Sequence, residues 1–276
     1  MSPKLKRTAF AAVLVLLLVS LSAEVCEAQM ITAHRGASYD APENTLAAFN
    51  LAWQQGTDAI EADFYLSSDK RIVCIHDKDT LRTAGIKKMV EKTTFADLRA
   101  LDAGGWKGEA FRGETIPTFE EILATLPDGK RFVIELKTGV EIVPVLQQEL
   151  KRLAPPHASL MIISFDAESI EKCKQLMPDI QAHWLTAFKA ANEKERPLSA
   201  AEVAKTVRKC GADGVGMKGD MKIVDRSFID TLISQGCGEF HVWTVDDAAE
   251  ARYFQSLGAI GITTNRPALI KDALSQ

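Results

Sequence analysis

A chain of 276 residues, 46% hydrophobic and 25% charged, has the make-up of an ordinary globular protein with a sizeable core, and its length fits one large domain or two modest ones. The formal net charge of -4 excludes a general nucleic-acid binder, because neutralising a phosphate backbone takes a basic face. Any phosphate chemistry must come from a local site.

Residues 1–28 read as a secretory signal peptide: Lys4, Lys6 and Arg7 precede an apolar run from Ala9 to Ala23, and small residues lead to a cut after Ala28. The run is short for a membrane span, so the mature chain 29–276 is expected to be exported, periplasmic or extracellular, with an uncleaved N-terminal anchor as the alternative. Val25 before Cys26 argues against lipidation. The exported part keeps Cys74, Cys173, Cys210 and Cys237, none in a Cys-x-x-Cys pair. Each reads as a small buried hydrophobe, with a bridge between Cys210 and Cys237 as the alternative.

Residues 30–33 are strand-like, and 43–55 carry Leu46, Phe49, Ala52 and Trp53 at helical spacing with a stop at Gly56. In 59–65 acids alternate with apolar residues at the period of a strand, so Glu61 and Asp63 share one face while Ile60, Ala62 and Phe64 take the other. Two carboxylates facing one space need a positive partner, and a hard cation suits them. The polar turn 67–70 and the apolar run 71–76 predict a hairpin in which residue 66 pairs with 71. That register sets His76 directly opposite Glu61. The next stretch, about 78–117, is too long for a simple connection and reads as a small insertion after the second strand, shaping the substrate entrance.

Strand-like runs at 132–136, 160–164, 181–185, 214–217, 240–244 and 261–263 alternate with amphipathic helices at 142–153, 167–177, 200–210, 227–235 and 247–257. About eight strand-helix units in this length predict an α/β fold, a (β/α)8 TIM-type barrel. An open doubly wound sheet shares the alternation but rarely needs so many strands, and no Gly-x-Gly-x-x-Gly turn follows the first strand.

A barrel brings the carboxyl ends of its strands together, and the polar residues fall there. His34-Arg35-Gly36 ends the first strand, Glu61 and Asp63 stand on the second, Glu135 and Lys137 on the third, and His241-Val242-Trp243-Thr244 ends the seventh. Folding alone would favour apolar residues at such places, because desolvating unpaired charge is costly. His157, His183 and His241 lack a motif and read as structural, and Lys218 reads as a solvated lysine.

His34-Arg35-Gly36, Pro42-Glu43-Asn44-Thr45, Glu61-x-Asp63, His76-Asp77, Glu135-x-Lys137 and Trp243-Thr244-Val245 together resemble the glycerophosphodiester phosphodiesterase family, in the family's order and over nearly the whole mature chain. The resemblance implies one divalent cation, Mg2+ or Ca2+, held by Glu61, Asp63 and Glu135. It implies His34 and His76 as the acid-base pair and Glu43 near the metal site. Asp246 stands where family members often carry asparagine, a departure that leaves metal and histidines untouched. Arg35 and Lys137 can neutralise phosphate charge, Trp243 can close over a glycerol moiety, and histidine titrates in the range for proton transfer.

The function so implied is exported, metal-dependent hydrolysis of a small-molecule glycerophosphodiester to an alcohol and sn-glycerol 3-phosphate. A lysophospholipase D or sphingomyelinase D-like lipid phosphodiesterase is the enzymatic alternative, although no broad exposed aromatic patch is visible. A noncatalytic phosphodiester-binding barrel is the third reading. The preferred alcohol, the oligomeric state and the division of roles between the two histidines stay open.

Overall fold

A computed structural model describes residues 29–155, 158–188 and 197–275; the segment expected to be a signal peptide and His157 lie outside them. Eight parallel strands form the barrel: β1 (Met30–His34), β2 (Ala59–Leu66), β4 (Arg131–Leu136), β5 (Ser159–Ser164), β6 (Gln181–Thr186), β7 (Gly214–Lys218), β8 (Phe240–Trp243) and β9 (Gly261–Thr264). Closure is made by β1, which pairs with β2 on one side and β9 on the other. A short β3 (Ile72–Cys74) returns antiparallel along β2.

Strand alternation sorts the core into two layers. Ile60, Ala62 and Phe64 of β2 point outward with Phe132 and Ile134 of β4, into the layer beneath the helices. Phe64, Phe119 and Phe132 pack there with ring centroids 5.5 to 6.0 Å apart. Inward-facing Ala59, Val133, Met161, Ile163 and Leu185 fill the barrel's interior.

The helices in chain order are α1 (Leu46–Gln54), α2 (Leu81–Ala84), α3 (Phe95–Arg99), α4 (Phe119–Leu123), α5 (Ile142–Leu153), α6 (Ala167–Leu176), α7 (Ala200–Cys210), α8 (Arg226–Ser234), α9 (Ala248–Ser256) and α10 (Pro267–Leu274). Local chemistry starts many of them. Asp166, Asp225 and Asp247 cap α6, α8 and α9 by accepting from backbone amides of the first turn, and Ser199 with Glu202 forms a capping box on α7. The stretch after β3 carries α2 and α3 and packs Val90, Leu98, Ala103 and Ile116 with Val73 and Ile75 into a small core of its own. Among the described residues no helix is long and apolar enough to cross a membrane.

Two expectations differ from what is observed, and the four cysteines follow their leading reading. Helix α1 begins at Leu46 rather than at residue 43, because Thr45 caps it by accepting from Ala48 N, while Asn44 sits at a φ of 58° that a helix cannot contain. The hairpin pairs Leu66 with Ile72, not with residue 71, because Arg71 joins the turn and its carbonyl accepts from Ser67 N at 2.9 Å. His76 is therefore not the cross-strand neighbour of Glu61: the pairing of Phe64 with Cys74 sets the register one residue off, Ile75 N still donates to Asp63 O at 3.0 Å, and the chain bends at His76. Cys210 and Cys237 are free, buried thiols rather than a bridge, as are Cys74 and Cys173.

Candidate active site

At the carboxyl-terminal end of the barrel a cavity of about 130 Å³ is lined by His34, Arg35, Glu61, His76, Glu135 and Lys137, with Trp243 and Phe165 in the same wall. A larger hollow of about 570 Å³ opens at the opposite end, lined by residues such as Asp58, Arg131 and Glu239, and none of the predicted site residues reaches it. Chemistry, not size, distinguishes the two.

The strand register builds the acidic cluster. Asp63 of β2 lies opposite Glu135 of β4, and His34 of β1 opposite Glu61. Glu61, Asp63 and Glu135 are all buried, and each offers a carboxylate oxygen within 4.8 Å of the other two. Like charges that close cannot all be comfortable out of water. Burial, then Asp63 and Glu135, push the Glu61 carboxyl well above its usual range. Burial, then Asp63, lift Glu135 to about 7. Burial would raise Asp63 too, but Arg35, Lys137 and His76 hold it below the usual carboxylate range.

Two of these oxygens, Glu61 Oε1 and Asp63 Oδ1, are buried without a hydrogen-bond partner. Such atoms are costly unless something positive fills the space before them. Three buried carboxylates, with Glu61 Oε1 unpartnered and Asp63 Oδ1 met only by the Lys137 ammonium at 3.5 Å, fit a hard divalent cation, whose shell is made of oxygen.

Arg35 is set by its backbone. Its φ of 57° turns its amide to donate to Glu61 Oε2 at 2.9 Å, while its Nε stands 3.1 Å from Asp63 Oδ2 and its Nη1 donates to Glu43 Oε1 at 3.0 Å. A left-handed conformation for a non-glycine residue costs about 1 kcal/mol or more, and here it aims one residue at three carboxylates. Lys137 Nζ donates to Glu135 Oε1 at 2.7 Å and lies 3.5 Å from Asp63 Oδ1. Glu43 holds Arg35 from behind and takes a two-pronged contact from Arg82 at 2.7 and 2.8 Å.

The two histidines are anchored differently. His34 Nδ1 is 2.7 Å from Asn265 Oδ1, and that amide's orientation follows from its Nδ2, which donates to Asp246 Oδ2 at 2.6 Å. His34 thus donates from Nδ1 to a neutral acceptor. Burial, then the Arg35 charge, lower its pKa to about 4. His76 Nδ1 faces the Asp77 carboxylate at 2.7 Å, and Asp77 is held in turn by Arg82 Nε at 2.7 Å. Burial lowers the His76 pKa, against the pull of Asp63 and Asp77. Trp243 packs edge-on against Phe165 with centroids 5.3 Å apart, while Lys218 is exposed and does not line the cavity.

Residues 34–269 match the family model for the glycerophosphoryl diester phosphodiesterase family. The chain belongs to that family. It is 34% identical over 245 residues to YhdW of Bacillus subtilis, covering 88% of this chain and 97% of that one. To a glycerophosphodiester phosphodiesterase of Caldanaerobacter subterraneus it is 30% identical over 226 residues, covering 74% and 93%. A phosphodiesterase of Oleispira antarctica, solved in complex with its product sn-glycerol-3-phosphate, superposes with a TM-score of 0.79 at 27% identity, covering 90% of this chain and 97% of that one.

In this member of the glycerophosphodiester phosphodiesterases, several site contacts escaped sequence reasoning. Asn44 donates to Asp63 Oδ2 at 2.8 Å and so orients the middle carboxylate. Asp246 accepts from Asn265 N, Asn265 Nδ2 and Thr264 Oγ1 at 2.6 to 2.9 Å, so the departure from asparagine reaches His34 through one intermediate. Asn44 and Asp77 were visible inside their motifs. Asn265 and Arg82 lie in no motif and gave no signal.

Proposed function

We propose that this chain is an exported, metal-dependent glycerophosphodiester phosphodiesterase that releases an alcohol and leaves sn-glycerol 3-phosphate. The observation that carries the reading is the pair of buried oxygens on Glu61 and Asp63 that accept no hydrogen bond, beside Glu135, in a cavity walled by two histidines. Glu61, Asp63 and Glu135 would hold Mg2+ or Ca2+. Bound there, the ion would neutralise charge that builds on a nonbridging phosphate oxygen as the ester bond breaks.

The chain's own groups supply the rest. Arg35 and Lys137 present positive charge to the phosphate. His34 donates from Nδ1 to Asn265, which leaves its Nε2 lone pair free to take the proton of the attacking hydroxyl. His76 donates from Nδ1 to a carboxylate, which favours its charged form, so it is the group to deliver a proton to the departing alkoxide oxygen. Lys4, Lys6, Arg7 and the apolar run after them support export.

Purified mature protein with Mg2+ or Ca2+ is expected to release sn-glycerol 3-phosphate from glycerophosphocholine and to lose that activity in chelator. An absence of turnover of every glycerophosphodiester with either ion added would defeat the reading. A noncatalytic barrel would keep its function when His34 and His76 are both changed to Gln, whereas a phosphodiesterase loses turnover and keeps metal binding. Exposed Tyr39, Trp106 and Phe165 on loops at the carboxyl-terminal end of the barrel favour a second reading, a lipid phosphodiesterase. Faster hydrolysis of lysophosphatidylcholine than of glycerophosphocholine would select it.

A further inference from the structure

Two buried histidines outside the acidic cluster link the cavity to the far end of the barrel. His183 of β6 and His241 of β8 stack with centroids 5.2 Å apart and Nδ1 atoms 3.1 Å apart. Room for both rings comes from the strand between them. A Cβ on Gly214 would stand 2.7 Å from His183 Nε2, and one on Gly216 would stand 2.4 Å from His241 Nε2.

The contacts dictate where the ring protons sit. Arg131 Nη1 donates to Gln181 Oε1 at 3.0 Å, so the Gln181 amide turns its N–H toward Glu239 Oε1. The same carboxylate oxygen lies 3.0 Å from His183 Nε2, and a carboxylate only accepts, so His183 carries its proton on Nε2. Its Nδ1 is then a lone pair, which the Nδ1–H of His241 must meet. The reverse order would press a His183 lone pair against a carboxylate. Neutral His241 is left with an unprotonated Nε2, and burial, then the neighbouring His183, keep the ring uncharged by lowering its pKa well below the usual value.

His241 is 4% exposed and lines the active-site cavity, and its Nε2 has no partner among the described residues. Trp243 Nε1, two residues on along the same strand face, is a buried donor also without a partner. An unpaired acceptor in the cavity wall matches the O–H of a hydroxyl group.

We propose that His241 Nε2, held as an acceptor by the chain Glu239–His183–His241, takes a hydroxyl hydrogen of the substrate's glycerol moiety. This rests on the reading of the substrate as a glycerophosphodiester. His241 is then a specificity residue, and His183 and Glu239 are positioning residues.

Two measurements test it. In 15N-histidine spectra of the wild-type protein, His241 should show an unprotonated Nε2 and a protonated Nδ1, and His183 the opposite; a protonated His241 Nε2 would overturn the proposal. Binding of sn-glycerol 3-phosphate and of ethyl phosphate, which lacks the hydroxyls, should be compared in metal-loaded protein. H241F should weaken glycerol 3-phosphate about tenfold, the order of one buried hydrogen bond, and leave ethyl phosphate within about twofold. E239A, outside the cavity, should move glycerol 3-phosphate in the same direction with the His241 tautomer signal. Equal losses for both esters, or none, would sink the subsite. Wild-type protein that binds neither ester would instead defeat the reading of the substrate.

Discussion

His34 and His76 are the same residue type facing one cavity, and their neighbours make them unequal. A neutral oxygen, Asn265 Oδ1, accepts from His34, and a carboxylate, Asp77, accepts from His76. The second arrangement stabilises an imidazolium more than the first, so the two substitutions should differ in what rescues them. H34A and H76A should each lower turnover of glycerophosphocholine by about 10²- to 10⁴-fold. With a 4-nitrophenyl phosphodiester, whose leaving group needs no proton, H76A should recover most of its rate and H34A should not. Recovery by H34A instead, measured under saturating metal, would reverse the assignment. Asp246 works at the same scale: it accepts three hydrogen bonds around Asn265, and D246A should slow turnover by loosening His34 while the acidic cluster still binds metal.

At the scale of the element, a turn decides what a strand can present. The β1 strand ends in two residues at positive φ, Arg35 at 57° and Gly36 at 79°. The first directs the guanidinium and amide into the acidic cluster, and the second lets the chain pass against α1. A Cβ on Gly36 would lie 2.5 Å from the carbonyl carbon of Ala48, so neither the dihedral nor the space admits a side chain. G36A should lose at least about 2 kcal/mol of stability in urea unfolding, more than the cost of positive φ alone. The β2–β3 hairpin shows the converse. Periodicity located both strands, yet the turn took one residue more than expected, and the pairing that was to bring His76 to Glu61 never forms. His76 reaches the cavity because the strand ends at Cys74 and the chain turns inward. A single residue in a turn shifts a register, and nothing in the alternation of 71–76 records where pairing stops.

For the whole molecule, closure of the barrel sets both stability and site. His241 is buried and held neutral, with its pKa well below the unfolded value of 6.5. The unfolded chain therefore takes up a proton at this residue as pH falls past 6.5 and the folded chain does not. The stability tied to its neutrality is complete above pH 6.5 and is lost as pH falls from there toward the folded pKa, at up to about 1.4 kcal/mol per pH unit. Melting temperature followed from pH 7.5 to 5 should fall, and H241F should flatten the slope. An unchanged slope in that variant would show that other groups carry the acid sensitivity.

Much of the site was legible residue by residue. Side-chain direction in a strand has a period of two, so Glu61 with Asp63 and Glu135 with Lys137 could be assigned to one face from their spacing alone, and the repeat of strand and helix implied the barrel that collects strand ends. The partners that tune those residues were not legible. Asn265 meets His34 across 231 positions, and His183 meets His241 across 58. Local sequence specifies which way a side chain points, because that depends on neighbouring dihedrals. Which group it meets there depends on how β1 closes against β9 and how much room Gly214 and Gly216 leave between two other strands, and only the folded barrel decides that.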